Sequence, residues 1–116
     1  MKTKVNEHSD GDQGVRVILV TFPNLDSARQ VGTLLVDSQV VACVNLVPGV
    51  ESIYRWEGKV NIDKEILAVI KTTEALVPEV EALIHEKHPY ETPEFLVIKP
   101  DSGSQAYLDW VAKVVS

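Results

Sequence analysis

The sequence predicts an α+β domain with a ferredoxin-like β-α-β-β-α-β order and one additional C-terminal helix. Two observations predict this order. Runs rich in β-branched residues alternate with segments of helical periodicity along residues 15–114. In the middle of the chain, two long extended segments follow one another with only a short turn between them. Split βαβ units of this kind form an antiparallel sheet with helices on one face.

The first strand and the first helix have clear boundaries. Residues 15–22 (VRVILVTF) are β-branched and apolar, which predicts a buried central strand that Pro23 ends. Asn24 can cap a helix that extends to about Ser38. Apolar residues at helical spacing predict its buried face: Leu25, Ala28, Val31, Gly32 and Leu35. Residues 1–14 are mostly polar and are predicted to be a disordered tail.

The second and third strands form an extended hairpin. Residues 40–47 predict a strand that continues to residue 56 beyond a bulge at Pro48 and Gly49. Residues 57–59 (EGK) are a hairpin turn, and residues 60–72 return. Because strands this long exceed the core of a small domain, their distal halves are predicted to protrude as an arm. The arm would expose Tyr54, Trp56 and Ile62.

The remaining elements are a helix, a strand and a final helix. The second helix begins near Thr73 or Glu74, and its buried stripe is Leu76, Val80, Leu83 and Ile84. Residues 95–99 predict the fourth strand. Ser102 and Gln105 have the spacing of a capping box. The last helix then places Tyr107, Trp110, Val111 and Val114 on one face, with Trp110 in the core. One sheet face stays bare and apolar in this arrangement, which predicts a homo-oligomer.

Composition limits the possible functions. The chain has 116 residues, 45% of them hydrophobic, and a formal net charge of −6, which indicates one acidic globular domain. Nucleic-acid binding is not expected, since phosphate contacts need clustered Lys and Arg. No apolar run approaches the ~20 residues that span a bilayer, so no membrane association is expected. The single cysteine excludes an intrachain disulfide, and we infer a cytoplasmic location.

Residues 88–94 (HPYETPE) concentrate the chemically capable side chains between a helix and a strand. Pro89 and Pro93 fix the backbone of this loop. His88 has two interpretations: its ring caps the preceding helix, or it binds a metal ion with Glu91 as an oxygen ligand. His85 is three residues earlier, and it is a weaker ligand candidate because such surface pairs are often incidental.

Three further residues allow a structural or a functional interpretation. Cys43, in the second strand, is either a small buried apolar residue or a thiolate ligand for copper. Glu65 and Lys71 point to the same face of the third strand, where they either meet solvent or line a pocket.

Several motifs together resemble those of the CutA divalent-cation-tolerance family. They are residues 42–45 (ACVN), Pro48-Gly49, residues 52–58 (SIYRWEG), Glu65, residues 70–72 (IKT), residues 88–94 and residues 107–110 (YLDW). The resemblance extends from Val15 to about Val114. It implies a trimer similar in architecture to the PII signalling proteins, and an association with copper and other divalent ions. Residues 15–116 are then a single CutA-like domain.

The resemblance also implies a pocket between subunits. Glu65 and Lys71 both match positions of the family, which favours the interpretation that they line this pocket. Aromatic residues at family positions are Tyr54, Trp56, Tyr90, Tyr107 and Trp110. Such a pocket would accept a metal complex or a small anion.

Three functions follow, in order of preference. The first is a cytoplasmic homotrimer that acts in metal tolerance by binding copper, or another divalent cation, at His88, Glu91 and Cys43. The second is a PII-like signalling module that binds a small molecule and has no direct metal role. The third is an enzyme that uses Glu65, Lys71, His88 and Tyr90, which ranks last since no nucleophile–base pair or cofactor motif is visible.

Overall fold

The computed structural model describes residues 8–9 and 11–115. The strands are β1 (His8–Ser9), β2 (Val15–Phe22), β3 (Cys43–Trp56), β4 (Lys59–Thr73), β5 (Leu96–Ile98) and β6 (Gly103–Ser104). The helices are α1 (Leu25–Asp37), α2 (Val77–Lys87) and α3 (Gln105–Val114), and a 3-10 turn, Glu74–Leu76, precedes α2. Among the described residues, no helix has both the length and the apolar character needed to cross a membrane.

The main sheet has four antiparallel strands in the order β3-β4-β2-β5. This is the strand order of the predicted ferredoxin-like fold. Strand β2 is central because it is apolar on both sides and can lie between β4 and β5. Its residues Ile18, Val20 and Phe22 are buried towards α1 and α2 and form the core with Ile66, Ala68 and Ile70 of β4.

Helix α1 starts and packs as its sequence predicts. The side-chain oxygen of Asn24 accepts a hydrogen bond from the backbone N–H of Ser27 at 2.8 Å, which satisfies one of the free donors at the helix start. The buried residues are Ala28, Val31, Gly32 and Leu35. Helix α2 buries Val80 and Ile84 against the same sheet face.

The predicted arm is present, and we define it as residues 50–65. The register between β3 and β4 shifts between Val47 and Val50, which is the bulge expected at Pro48 and Gly49. The turn has positive φ at Glu57 (51°) and Gly58 (79°), as a tight hairpin requires. Large side chains are exposed along the arm, including Ile53, Tyr54, Trp56, Val60 and Ile62.

Helix α3 differs from its prediction in two ways. Its N-cap is Ser104, whose hydroxyl oxygen accepts from the backbone N–H of Tyr107, so the capping box at Ser102 is wrong. Leu108 and Val111 are the buried residues, packed on Val15, whereas Trp110 is 42% exposed. Trp110 is therefore not a core residue, because the face of α3 that packs on Val15 is the one with Leu108 and Val111.

Helix α3 covers only one end of the second sheet face. We call the rest of that face the open face. Alternation along the strands assigns its apolar members: Val17, Leu19, Val47, Leu67, Val69, Leu96 and Ile98. Three of them, Val47, Leu96 and Ile98, are at least 43% exposed. The bare apolar face that the sequence predicts is therefore present.

The segment predicted as a tail, residues 1–14, contains two described features. Strand β1 pairs with β6, His8 opposite Ser104. Asp12 accepts hydrogen bonds from the backbone N–H of Gly14 at 2.7 Å and from the Arg16 guanidinium at 3.1 Å. The Gly14 bond holds the pKa of the Asp12 carboxyl below its usual value, and Arg16 adds to this. Residues 1–7 and 10 lie outside the described part of the chain, and the tail stays a prediction there.

Gly32 of α1 offers a stabilising substitution. A Cβ at this position would lie 3.5 Å from Val44 Cγ1, an ordinary van der Waals contact. We expect Gly32→Ala to raise the free energy of unfolding by about 0.5–1 kcal/mol, because alanine loses less backbone entropy in a helix. Gly58→Ala is the control and should lower stability by about 1 kcal/mol, since its φ is +79°. Urea unfolding measures both, and a destabilised Gly32→Ala would contradict the packing around α1.

Candidate functional site

A cleft of about 780 Å³ lies between the arm and the loop of residues 88–94. The arm contributes Ser52, Ile53, Tyr54, Trp56, Asp63 and Glu65. The loop contributes Pro89, Tyr90, Glu91, Thr92 and Glu94, and Thr21 closes the end at β2. A cleft of this size suits a small organic molecule more than a bare ion.

The ring of His88 fixes the loop to the end of β2. Its Nε2 atom lies 2.7 Å from the carbonyl oxygen of Thr21, and its Nδ1 atom is 3.0 Å from the backbone nitrogen of Tyr90. The ring also stacks on Phe22, with the two ring centroids 4.4 Å apart. His88 is only 7% exposed. The backbone of the loop is therefore held from inside the protein.

These contacts determine the tautomer of His88. A backbone N–H can only donate, so Nδ1 accepts from Tyr90; a carbonyl can only accept, so Nε2 carries the hydrogen. Burial of the ring lowers the pKa of His88 below its usual 6.5, although the hydrogen bond to Thr21 and the charge of Glu65 oppose this. The neutral ring uses both nitrogens within the protein.

Tyr90 connects the loop to the arm. Its hydroxyl donates to Oε2 of Glu65 at 2.8 Å. Burial and this hydrogen bond raise the pKa of the Tyr90 phenol above its usual range. Glu65 is only 9% exposed, yet no Lys or Arg among the described residues forms an ion pair with it. The base of the cleft thus holds a buried carboxylate without a cation.

Among the described residues, every charged side chain that lines the cleft is acidic. These residues are Asp63, Glu65, Glu91 and Glu94. Burial raises the pKa of the Glu94 carboxyl, and the charge of Glu65 raises it further. Tyr54 donates its hydroxyl to Asp63, and this hydrogen bond raises the pKa of Tyr54. The cleft therefore attracts positive charge and disfavours the small anion proposed from the sequence.

Comparison with known proteins identifies the family. The family model described as CutA1 divalent ion tolerance protein matches residues 16–114. The chain belongs to this family. The resemblance read from the sequence motifs is thereby confirmed, and so is the α+β fold with its antiparallel sheet.

The sequences of relatives align with this chain along most of the domain. The divalent-cation tolerance protein CutA of Thermus thermophilus is 41% identical over 82% of this chain and 92% of its own length. A protein of Arabidopsis thaliana named "Protein CutA, chloroplastic" is 39% identical, but this chain spans only 52% of it. The solved structure of CutA from Synechococcus elongatus covers 98% of this chain and 100% of its own, with a TM-score of 0.91 and 30% identity.

The three predicted metal ligands do not come together in one copy of this CutA-family chain. Cys43 is opposite Lys71 in the β-sheet register, whereas Thr21, which holds His88, is opposite Leu67. That is four residues, or ~13 Å, along the strands, with a further strand between them. Glu91 is exposed at the cleft. Among the described residues, no three His, Cys, Asp or Glu side chains could hold a metal ion together.

The open face holds another group of predicted residues. Cys43 is half-buried there, and its Sγ atom is 3.9 Å from the hydroxyl of Tyr107. Tyr107 packs on Trp110, with their ring centroids 5.8 Å apart. The amine of Lys71 donates to the side-chain oxygen of Asn45. This group is separate from the cleft within one copy.

Glu65 and Lys71 are far apart despite sharing a face. Six residues of strand separate them, about 20 Å at ~3.3 Å per residue. His85 is exposed, and its nearest ring partner is Phe95 at 6.4 Å, so it does not join His88. A catalytic set of Glu65, Lys71, His88 and Tyr90 is therefore not assembled in one copy.

Sequence reasoning missed Asp63 and Glu94 as members of the cleft. Asp63 shares a face with Glu65, and the hairpin register places it opposite Ser52 beside Tyr54. Counting alternate residues from the turn at residues 57–59 would have placed Asp63 on the same face as Glu65 and Tyr54. The signal for Glu94 was its position at the end of the proline-fixed loop, but the sequence did not show that this loop folds towards the arm.

Proposed function

We propose that this protein acts in divalent-ion tolerance as a homotrimer whose clefts bind a small positively charged ligand. A divalent cation, copper among them, is the first candidate ligand. The single observation that carries the proposal is the charge of the cleft, whose described lining has four carboxylates and no basic side chain. A largely buried carboxylate without a cation beside it is costly, and a bound cation offsets that cost.

The open face supports the trimer and a cleft at a subunit boundary. Apolar side chains at least 43% exposed on one sheet face call for a second copy to cover them. Register places Tyr54 and Trp56 on the same side of the sheet as the open face. A neighbouring copy on that face would therefore lie beside the cleft and enclose its ligand further.

The residues favour carboxylate oxygens as the metal ligands. Both ring nitrogens of His88 already form hydrogen bonds within the protein, so His88 supports the loop. Glu65 and Glu91 remain as the metal ligands. Cys43 joins such a site only from a neighbouring copy. Because the described part of one copy does not assemble three ligands, the metal would bind weakly or be shared between copies.

A PII-like module that binds an organic small molecule is the second candidate. The volume of about 780 Å³ and the aromatic walls of the cleft favour it. For either candidate we propose a cytoplasmic location, which the single cysteine supports. Fractionation of cells that produce the protein tests the location.

Isothermal titration with copper(II) tests the metal candidate. We expect saturable binding to the wild-type protein and at least a tenfold loss of affinity in Glu65→Gln. Glu51→Gln is the matched control, because Glu51 is an exposed carboxylate on the other side of the arm. Cys43→Ser reports whether a thiolate from a neighbour takes part. Equal binding in all variants would remove the cleft from the proposal.

A further inference from the structure

We infer that the ligand of the cleft is a small organic cation, with a primary ammonium or guanidinium group placed against Glu65. The inference rests on the proposed function, since it names the chemical class of ligand for the same cleft. It uses three observations that a bare metal ion does not explain together: the state of Glu65, the aromatic walls of the cleft and the spread of its carboxylates.

The first observation is the state of Glu65. Its side chain is nine-tenths buried, and Tyr90 supplies its one hydrogen bond, to Oε2, within the described chain. A buried carboxylate normally has a cation or several donors around it. No described residue donates to Oε1, and no buried side-chain oxygen of the described chain lacks a partner, so Oε1 opens to the cleft. An ammonium or guanidinium group would supply both the positive charge and the N–H donors.

The second observation is the aromatic lining. Tyr54, Trp56 and Tyr90 all line the cleft. Aromatic faces attract organic cations through their negative π-surface and also bury the carbon atoms of such a ligand. A hydrated divalent ion gains little from these rings, since it prefers oxygen ligands and water. The lining therefore suits a cation with an apolar body.

The third observation is the spread of negative charge. Asp63 is fixed by the hydroxyl of Tyr54, as Glu65 is by that of Tyr90. Glu91 and Glu94 come from the loop on the other side of the cleft. Carboxylates on two walls, which do not converge on one point, match a ligand with positive groups at both ends.

Titration with 1,4-diaminobutane tests the inference on the full-length chain in its native assembly. We expect saturable binding by calorimetry, with no binding of 1,4-butanediol, which has the same length without charge, or of butanedioate, which has the opposite charge. Affinity should fall at least tenfold in Glu65→Gln and stay unchanged in Glu51→Gln. Glutamine can still accept from Tyr90, so the Glu65→Gln variant is expected to fold, and its melting temperature checks this.

A second variant makes the result independent of Glu65. Trp56→Leu should weaken diamine binding several-fold through loss of the ring face, and Trp56 is 60% exposed, so the fold does not depend on it. Equal binding of the diol, or diamine binding that both variants leave unchanged, would overturn the inference. If copper binds at the cleft and the diamine does not, the inference fails and the proposed function survives. If neither binds, both fail.

Discussion

Replacing His88 with alanine is expected to lower the free energy of unfolding by about 3–5 kcal/mol. The imidazole is buried and stacked on Phe22, so its removal leaves a cavity beside the core. Two backbone groups, the buried carbonyl of Thr21 and the partly buried N–H of Tyr90, also lose their partners. Since a domain of this size has about 5–15 kcal/mol of stability, the loss would be severe.

Urea unfolding of His88→Ala beside His85→Ala measures this effect. His85 is exposed on α2, so its substitution should change stability by less than about 0.5 kcal/mol. A similar small change for His88→Ala would show that the ring does not hold the loop. It would then be free to act as the ligand that the sequence suggested.

The contribution of His88 also depends on pH. Because burial lowers its pKa in the folded state below 6.5, the folded protein binds the proton more weakly than the unfolded chain does. The stabilisation is complete above pH 6.5 and is lost as the pH falls from there through the folded-state pKa. The difference in stability between wild type and His88→Ala should therefore shrink on acidification. A difference that grows would contradict the neutral ring.

The fold was accessible from sequence because local signals and tertiary packing agree. The β-branched run of β2, the Asn24 cap and the alternation along β4 each specify the element in which they lie. The order of the elements along the chain then allows only a few sheet topologies, and the structure has the ferredoxin-like one among them. The arm was predictable from length alone, since strands of 14 and 15 residues exceed a small core.

The candidate site was less accessible, for a physical reason. His88 was predicted to be a helix cap or a metal ligand. It does occupy the C-cap position of α2, where its backbone N–H donates to the carbonyl of Ile84, but neither prediction contains the contacts of its ring. Those contacts reach Thr21, 67 positions away in the chain, and they depend on how the loop turns back over β2. Likewise, the packing of α3 on Val15 buries Leu108 and leaves Trp110 exposed. One residue of helix phase, about 100°, suffices for that exchange.

Replacing Val69 with aspartate is expected to dissociate the proposed trimer. Val69 lies on the open face, between Asn45 of β3 and Leu19 of β2 in the register. In an assembled protein, a carboxylate there would be buried at the interface without a partner, which costs several kcal/mol at each of three equivalent positions. In a single copy the same carboxylate would meet water, so the fold of the subunit would persist.

Light scattering coupled to size-exclusion chromatography measures the outcome. We expect the wild-type protein to have a molar mass three times the 12.8 kDa of one chain, and Val69→Asp to have the mass of a single chain. Ala82→Asp is the matched control, because Ala82 is exposed on α2, away from the open face, and should keep the mass of three copies. Circular dichroism of Val69→Asp separates dissociation from unfolding. A folded Val69→Asp protein that stays trimeric would show that the copies meet through another surface, and the cleft would then lie away from the subunit boundary.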